Sequence, residues 1–141
     1  SWITYRPNSR YKKGHIARAA LEGIALSVAT LVDLSQKALG KRLSELAVDG
    51  GAARSNLLLQ AQANSTGLTI RRPNNLESTA KGVALLAGHQ AGVIPDLKQL
   101  VPKKADGSEL FKPTMEHLAR GRWRSKWDEA VLRSLSWHEK S

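Results

Sequence analysis

Hydrophobic positions along the chain fall into blocks that alternate between helical and strand-like spacing. Over residues 15–39, Ile16, Ala20, Ile24, Val28, Leu31 and Val32 recur on a helical period, and Arg18, Glu22, Asp33 and Lys37 leave a narrow polar strip. The pattern predicts a long helix buried on most sides, with Gly40 as its C-cap. The next apolar stretch, Leu43–Val48, predicts a short strand with Leu46 and Val48 facing inward, ended by Gly50 and Gly51. Residues 54–66 predict a second helix closed by Gly67. "LTIRR" predicts a second strand stopped by Pro73. Residues 74–93 predict a third helix with Asn75 or Ser78 as its cap. Its small residues Ala80, Ala84, Ala87, Gly88 and Ala91 would permit close packing. Residues 98–112 read as a loop. From Met115 to Trp137 a terminal helix carries Trp123, Trp127, Val131 and Leu135 as one stripe, four residues apart. Docking of that stripe on the rest of the fold is the plain reading. A basic amphipathic helix on a membrane surface is the sharper one, and Asp128 and Glu129 dilute it.

The order helix, strand, helix, strand, helix, then a helical tail, is the mark of parallel βα units and of an α/β fold. Two strands are too few for an independently stable sheet. Further strands upstream are expected, and a fragment, since the sequence opens on Ser1 rather than Met.

Charge and composition narrow the chemistry. The 141 residues carry a net charge of +10 and contain no cysteine, which excludes disulfides and thiolate catalysis. Residues 1–42 hold eight Lys/Arg against two acids and 98–141 hold ten against six, whereas 43–97 are balanced at four and four. A nucleic-acid binder concentrates its basic residues on one face. Arg6, Arg10, Lys12, Lys13 and Arg18 do crowd the start, but a solvated loop or a surface against another part of a longer protein accounts for them too. No uninterrupted apolar run reaches about 18 residues, so no membrane span is expected. A cytoplasmic location is the default.

Candidate chemistry centres on "VDGGAARSN", Val48–Asn56. Adjacent glycines cost backbone entropy, so they fit a sharp turn or the close approach of a ligand. In open α/β folds ligands sit beyond the carboxyl ends of strands, and the following helix would offer unpaired N–H groups to an anion. The stretch is neither a Walker loop nor GxGxxG, and a tight turn without a ligand remains open. Asp49 reads as a cap or brace for the turn, and Glu22 as part of the helix strip. His15, His89, His117 and His138 lack metal-ligand spacing. No GxSxG elbow and no catalytic set is visible.

The segment "ELAVDGGAARSNLLLQAQANSTGLTIRRPNNLESTAKGVALLAG" resembles the C-terminal domain of the FGGY carbohydrate kinases. The family features are the Val48–Gly51 turn, Asn56, Gln60 and Gln62, Gly67, Pro73, Thr79–Gly82 and Ala87–Gly88. Upstream, His15–Gly23 is similar to the second FGGY signature. Downstream, Phe111, Pro113, Trp127, Ala130–Val131, Arg133–Ser134 and Trp137 are similar to the tail of the members that phosphorylate glycerol. The resemblance divides the chain into a divergent loop at 1–14, a partial C-terminal FGGY domain at 15–95 and a tail at 96–141. It implies part of an actin-like, ribonuclease-H-like ATPase fold and, in the whole protein, ATP- and Mg²⁺-dependent phosphorylation of glycerol to glycerol 3-phosphate. This chain would supply the adenine-nucleotide side of the cleft, without a membrane span or nucleic-acid partner.

By the same resemblance Gly50, Gly51 and Ser55 are the nucleotide-binding residues, and the catalytic Asp and the glycerol site lie upstream of this chain. Ser55 stands where the family usually has Asn, and its hydroxyl has a shorter reach than an amide. Asn64 replaces a usual Asp, and Lys81 a usual Leu. A homo-oligomeric whole protein is also implied. Other readings are a sister sugar kinase acting on xylulose or gluconate, a regulatory subunit that lost catalysis, and a non-catalytic basic binding module.

Overall fold

A glycine sets the carboxyl end of the first helix, and hydroxyls are accommodated inside it. A computed structural model of the chain describes residues 12–74, 78–96 and 107–135. Helix α1 runs Lys13–Leu39 and stops where Gly40 turns left-handed at φ 61°, its N–H and that of Lys41 reaching back to the Lys37 and Gln36 carbonyls. Ser27, Thr30 and Ser35 stay inside this apolar helix because each hydroxyl donates to the carbonyl four residues earlier. Glu22 pairs with Arg18 at 2.7 Å on the helix surface, as the polar strip implied.

Strand β1 (Glu45–Ala47) follows, then a four-residue 3-10 turn (Gly51–Arg54), helix α2 (Asn56–Thr66) and strand β2 (Thr69–Arg72). β1 and β2 pair in parallel, with Leu46 opposite Ile70. Helix α3 (Ser78–Gln90), strand β3 (Glu109–Phe111) and helix α4 (His117–Ser134) complete the order, and the sheet reads β1-β2-β3.

Helix α2 is the centre of the packing. Leu59 and Ala63 bury against Ile70, Phe111 and Ala53, with Leu46 and Val48 at the edge. Leu58 and Ala61 pack on Ala25 of α1, with Leu21 and Trp123 alongside. Ser65 is fully buried, and its hydroxyl donates to the Ala25 carbonyl at 2.9 Å, tying α2 to α1. The polar edge of α2 holds the route from β3 to α4. Asn64 Oδ1 accepts the N–H groups of Thr114 at 2.8 Å and Met115 at 3.1 Å, and Gln60 donates to the Lys112 carbonyl at 2.9 Å. The acceptor oxygen of Asn64 is common to Asn and Asp, which explains why the amide is accommodated there.

Three expectations need correction. Part of the stretch read as a loop at 98–112 is strand β3, antiparallel to β2, with Phe111 opposite Ile70. Three residues are too few to show a period, so only the pairing reveals the strand. Second, α1 is not buried on most sides. Ala25, Leu26, Ala29 and Val32 are buried, but Ile16, Ile24, Leu31, Leu34 and Leu39 are exposed. Third, the small-residue face of α3 is packed, among the described residues, only at Gly88, where an added Cβ would meet Ile94 Cδ1 at 2.7 Å. Ala80, Ala84 and Ala87 are exposed, as are Val83 and Leu86. Ser78 opens that helix, and Asn75 lies outside the described residues. Helix α1 is long and apolar enough by length and composition alone to cross a membrane, a test that core helices pass as well, so the expectation of no span is not overturned. Its buried face belongs to the core shared with α2.

The tryptophan stripe docks by its first half. Trp123 joins the α1–α2 cluster, and the Trp127 ring lies 3.7 Å from where a Gly23 Cβ would stand. Val131 and Leu135 are exposed. Arg120 clamps the base of α4, donating from Nε to the Asn64 carbonyl at 2.7 Å and from Nη2 to the Met115 carbonyl at 3.1 Å.

Two substitutions test this packing by urea unfolding. Gly67 caps α2 at φ 75°, and an added Cβ would meet Arg120 Nη1 at 2.6 Å. Gly67→Ala is expected to lose about 1–2 kcal/mol from the left-handed backbone alone. Asn64→Ala strands two backbone N–H groups and should cost about 1 kcal/mol or more, whereas Asn64→Asp keeps the acceptor and should cost less than half of that.

Candidate functional site

The glycine turn leaves the carboxyl end of β1. Val48 continues the parallel ladder, its N–H donating to the Arg71 carbonyl at 3.0 Å. Gly50 then adopts φ 82° and ψ 177°, a conformation open to glycine and strained for other residues. The Ala53 N–H closes the 3-10 turn on the Gly50 carbonyl at 3.1 Å. At Ser55 the backbone is extended, and the Ser55 hydroxyl caps α2 by accepting the Leu58 N–H at 3.3 Å.

Gly50 and Gly51 are glycines for different reasons. The backbone of Gly50 demands one. Gly51 has no left-handed φ, and a Cβ built on it would meet nothing within 4 Å. Neither the backbone nor the packing of this chain calls for glycine at 51. The residue bears the entropic cost of glycine and leaves its backbone bare toward open space, at the strand end where α/β folds receive ligands.

Arg72, which pattern reading passed over, fixes the far side of the turn. Its Nη1 donates to the Ala53 carbonyl at 2.9 Å, its Nη2 pairs with Glu109, and its guanidinium lies 5.2 Å over the Phe111 ring. One side chain on β2 thereby joins the 3-10 turn to β3. The only sequence signal was a charged residue two positions after the core residue Ile70 and directly before Pro73.

The structure brings Gly50, Gly51 and Ser55 into one turn, but in a different manner from the expectation. The helix does not begin at residue 54. The 3-10 turn intervenes, and the first turn of α2 is capped by Ser55 itself, so it is not a bare helix end facing an anion. Ser55 retains its hydroxyl proton for donation. Asp49 does not brace the turn: it is exposed and has no partner among the described residues. Gln60 serves the 112–114 segment, and Gln62 is buried with its Oε1 unpaired. Among the described residues no three His, Asp or Glu side chains converge as a group that could hold a metal ion.

Comparison with known proteins bears on family and fold. Residues 4–91 match the model of the FGGY family of carbohydrate kinases, C-terminal domain. The chain is similar to a glycerol kinase of Koribacter versatilis, 43% identical over 126 residues, covering 89% of this chain and 25% of that protein. A crystal structure of Plasmodium falciparum glycerol kinase with ADP superimposes with a TM-score of 0.72 at 28% identity, covering 93% of this chain and 26% of that one. A ligand-bound xylulose kinase of Lactobacillus acidophilus superimposes with a TM-score of 0.65 at 18% identity, covering 97% and 28%, a likeness of fold alone. The chain thus spans about a quarter of the length of the curated relatives it matches. The fold is part of an actin-like, ribonuclease-H-like ATPase domain. With the family model covering well over half of its residues, the chain belongs to the FGGY family of carbohydrate kinases, as part of the C-terminal domain.

Proposed function

We propose that this chain is the C-terminal part of an ATP-dependent glycerol kinase and that its glycine turn holds the adenine nucleotide. One observation carries the nucleotide assignment: Gly51 is a glycine that neither its backbone nor its neighbours require, at the carboxyl end of β1. The glycerol kinase relatives at about 43% identity favour glycerol over xylulose or gluconate, since the xylulose kinase likeness is one of fold.

In this reading Gly50 sets the direction of the turn and Gly51 lets nucleotide atoms rest on bare backbone. Ser55 donates its hydroxyl proton to the nucleotide while its oxygen caps α2. Arg72 keeps the turn in place. ATP would arrive with Mg²⁺ on its phosphates, and that ion balances phosphoryl charge during in-line transfer. The Asp base and the glycerol site belong to the rest of the whole protein. The apolar faces that α1 and α3 leave exposed support such a surrounding, because burial there would need further chain. A cytoplasmic, homo-oligomeric kinase is the form that fits the family resemblance.

A titration of the chain with ADP, followed by amide NMR shifts, tests the assignment. Saturable shifts at Gly50, Gly51 and Ser55 are expected. Gly51→Ala should weaken them about tenfold, roughly 1.4 kcal/mol, with a melting temperature equal to or slightly above the original, because its Cβ meets nothing and the entropic cost of glycine is removed. A turn left unperturbed by ADP, or a Gly51→Ala variant that binds as well as the original, contradicts it. Ser55→Ala is a separate prediction: helix capping is lost at about 1 kcal/mol, and ADP binding falls beyond what that instability explains.

A further inference from the structure

A second concave site lies at the opposite end of the sheet from the glycine turn. It opens beside Leu43 and Leu68, which precede β1 and β2, as a solvent-open concavity of about 640 Å³. That volume is within the range of small-molecule pockets. Its wall is cationic. Lys37, Lys41 and Arg42 come from the end of α1 and the residues after it, and Arg120 and Arg124, with the His117 imidazole beside them, come from α4. Among the described residues the single carboxylate in the lining is Asp33, and it is already paired with Arg124.

The remaining Lys and Arg side chains have no counter-charge. Lys37, Lys41 and Arg42 have no side-chain hydrogen-bond or ion-pair partner among the described residues. Arg120 is pinned through Nε and Nη2 to the carbonyls of Asn64 and Met115, which leaves Nη1 without a partner. The carbonyl end of α1 accounts for Lys37. Arg120 and Arg124, some eighty residues later in the chain, are held at the same concavity by the Asn64 and Met115 carbonyls and by Asp33, and Lys41 and Arg42 add charge there with no side-chain partner of their own among the described residues. Like charges gathered around a cavity repel one another and focus a positive potential into it. Binding of a multiply charged anion relieves that repulsion. Guanidinium groups beside ammonium groups suit a phosphate, whose oxygens accept paired N–H donors.

We propose that this cavity is an anion site for a phosphate group, free or esterified to a small metabolite, separate from the nucleotide turn. The site stands whether or not the nucleotide assignment does, since no residue is shared between them.

The test is a titration of the 141-residue chain with inorganic phosphate, pyrophosphate and a phosphate monoester of a small polyol, followed by amide shifts. Saturable shifts confined to residues 40–43, 66–68 and 117–124 are expected. They should weaken about tenfold in the Lys41→Glu, Arg42→Glu double variant, whose two side chains are exposed and unpartnered, with the circular dichroism spectrum unchanged. Gly51→Ala should leave this binding as it was. Tighter binding of the monoester than of phosphate identifies a phosphorylated metabolite as the ligand. Equal binding identifies the phosphate group itself, and both support the site. Shifts that never saturate, that spread over all basic residues, or that persist in the double variant overturn it. So does stronger binding of a single-stranded oligonucleotide with a steep salt dependence, which would make the face a nucleic-acid surface.

Discussion

The two-sided burial of α2 is the constraint on which the rest of the structure depends. An eleven-residue helix between two parallel strands must cover the sheet with one face, and here Leu59 and Ala63 do so over Ile70 and Phe111. The opposite face, Leu58 and Ala61, receives α1 and Trp123. A fully buried leucine such as Leu59 stabilises a fold by about 2–5 kcal/mol relative to alanine. A typical hydrogen bond contributes about 1 kcal/mol. Packing therefore sets where α2 lies, and hydrogen bonds refine what attaches to its ends. Ser55 at one end joins it to the glycine turn, and Gly67 and Asn64 at the other orient the base of α4.

From that arrangement the two ends of the sheet acquire different characters. At the carboxyl end of β1 the backbone is bare at Gly51, and Arg72 fastens the turn to β2 and β3. The segment that carries the turn, residues 43–97, holds four Lys/Arg and four acids. At the other end the closing residues of α1 meet the first turns of α4, and the positive charge of the two flanks converges. The net charge of +10 is thus partly concentrated in one cavity, which a count along the sequence cannot reveal because residues 37–42 and 117–124 are distant in the chain.

Much of the fold was legible because its elements are long or sharply punctuated. Gly40 and Gly67 end their helices, Pro73 follows the last residue of β2, and the parallel pairing follows from the βα alternation. Strand β3 was not legible, since three residues carry no periodicity and their role comes from Arg72 and Ile70 across the sheet. The exposure of α1 was misjudged because periodicity reports which faces are apolar and not which faces find a partner. At the turn, the glycine pair signalled a site. The different reasons for Gly50 and Gly51 required a backbone angle and the space around a missing Cβ. The support from Arg72 required a contact over nineteen residues of sequence.

The central claim is that Gly51 is kept bare for a nucleotide. A crystal structure of the protein with ADP bound tests it most directly. The account predicts nucleotide atoms in van der Waals contact with the Gly51 backbone, about 3.5–4 Å away, with Gly50 still left-handed and Arg72 still on the Ala53 carbonyl. ADP bound elsewhere, with the space over Gly51 still open, would contradict it.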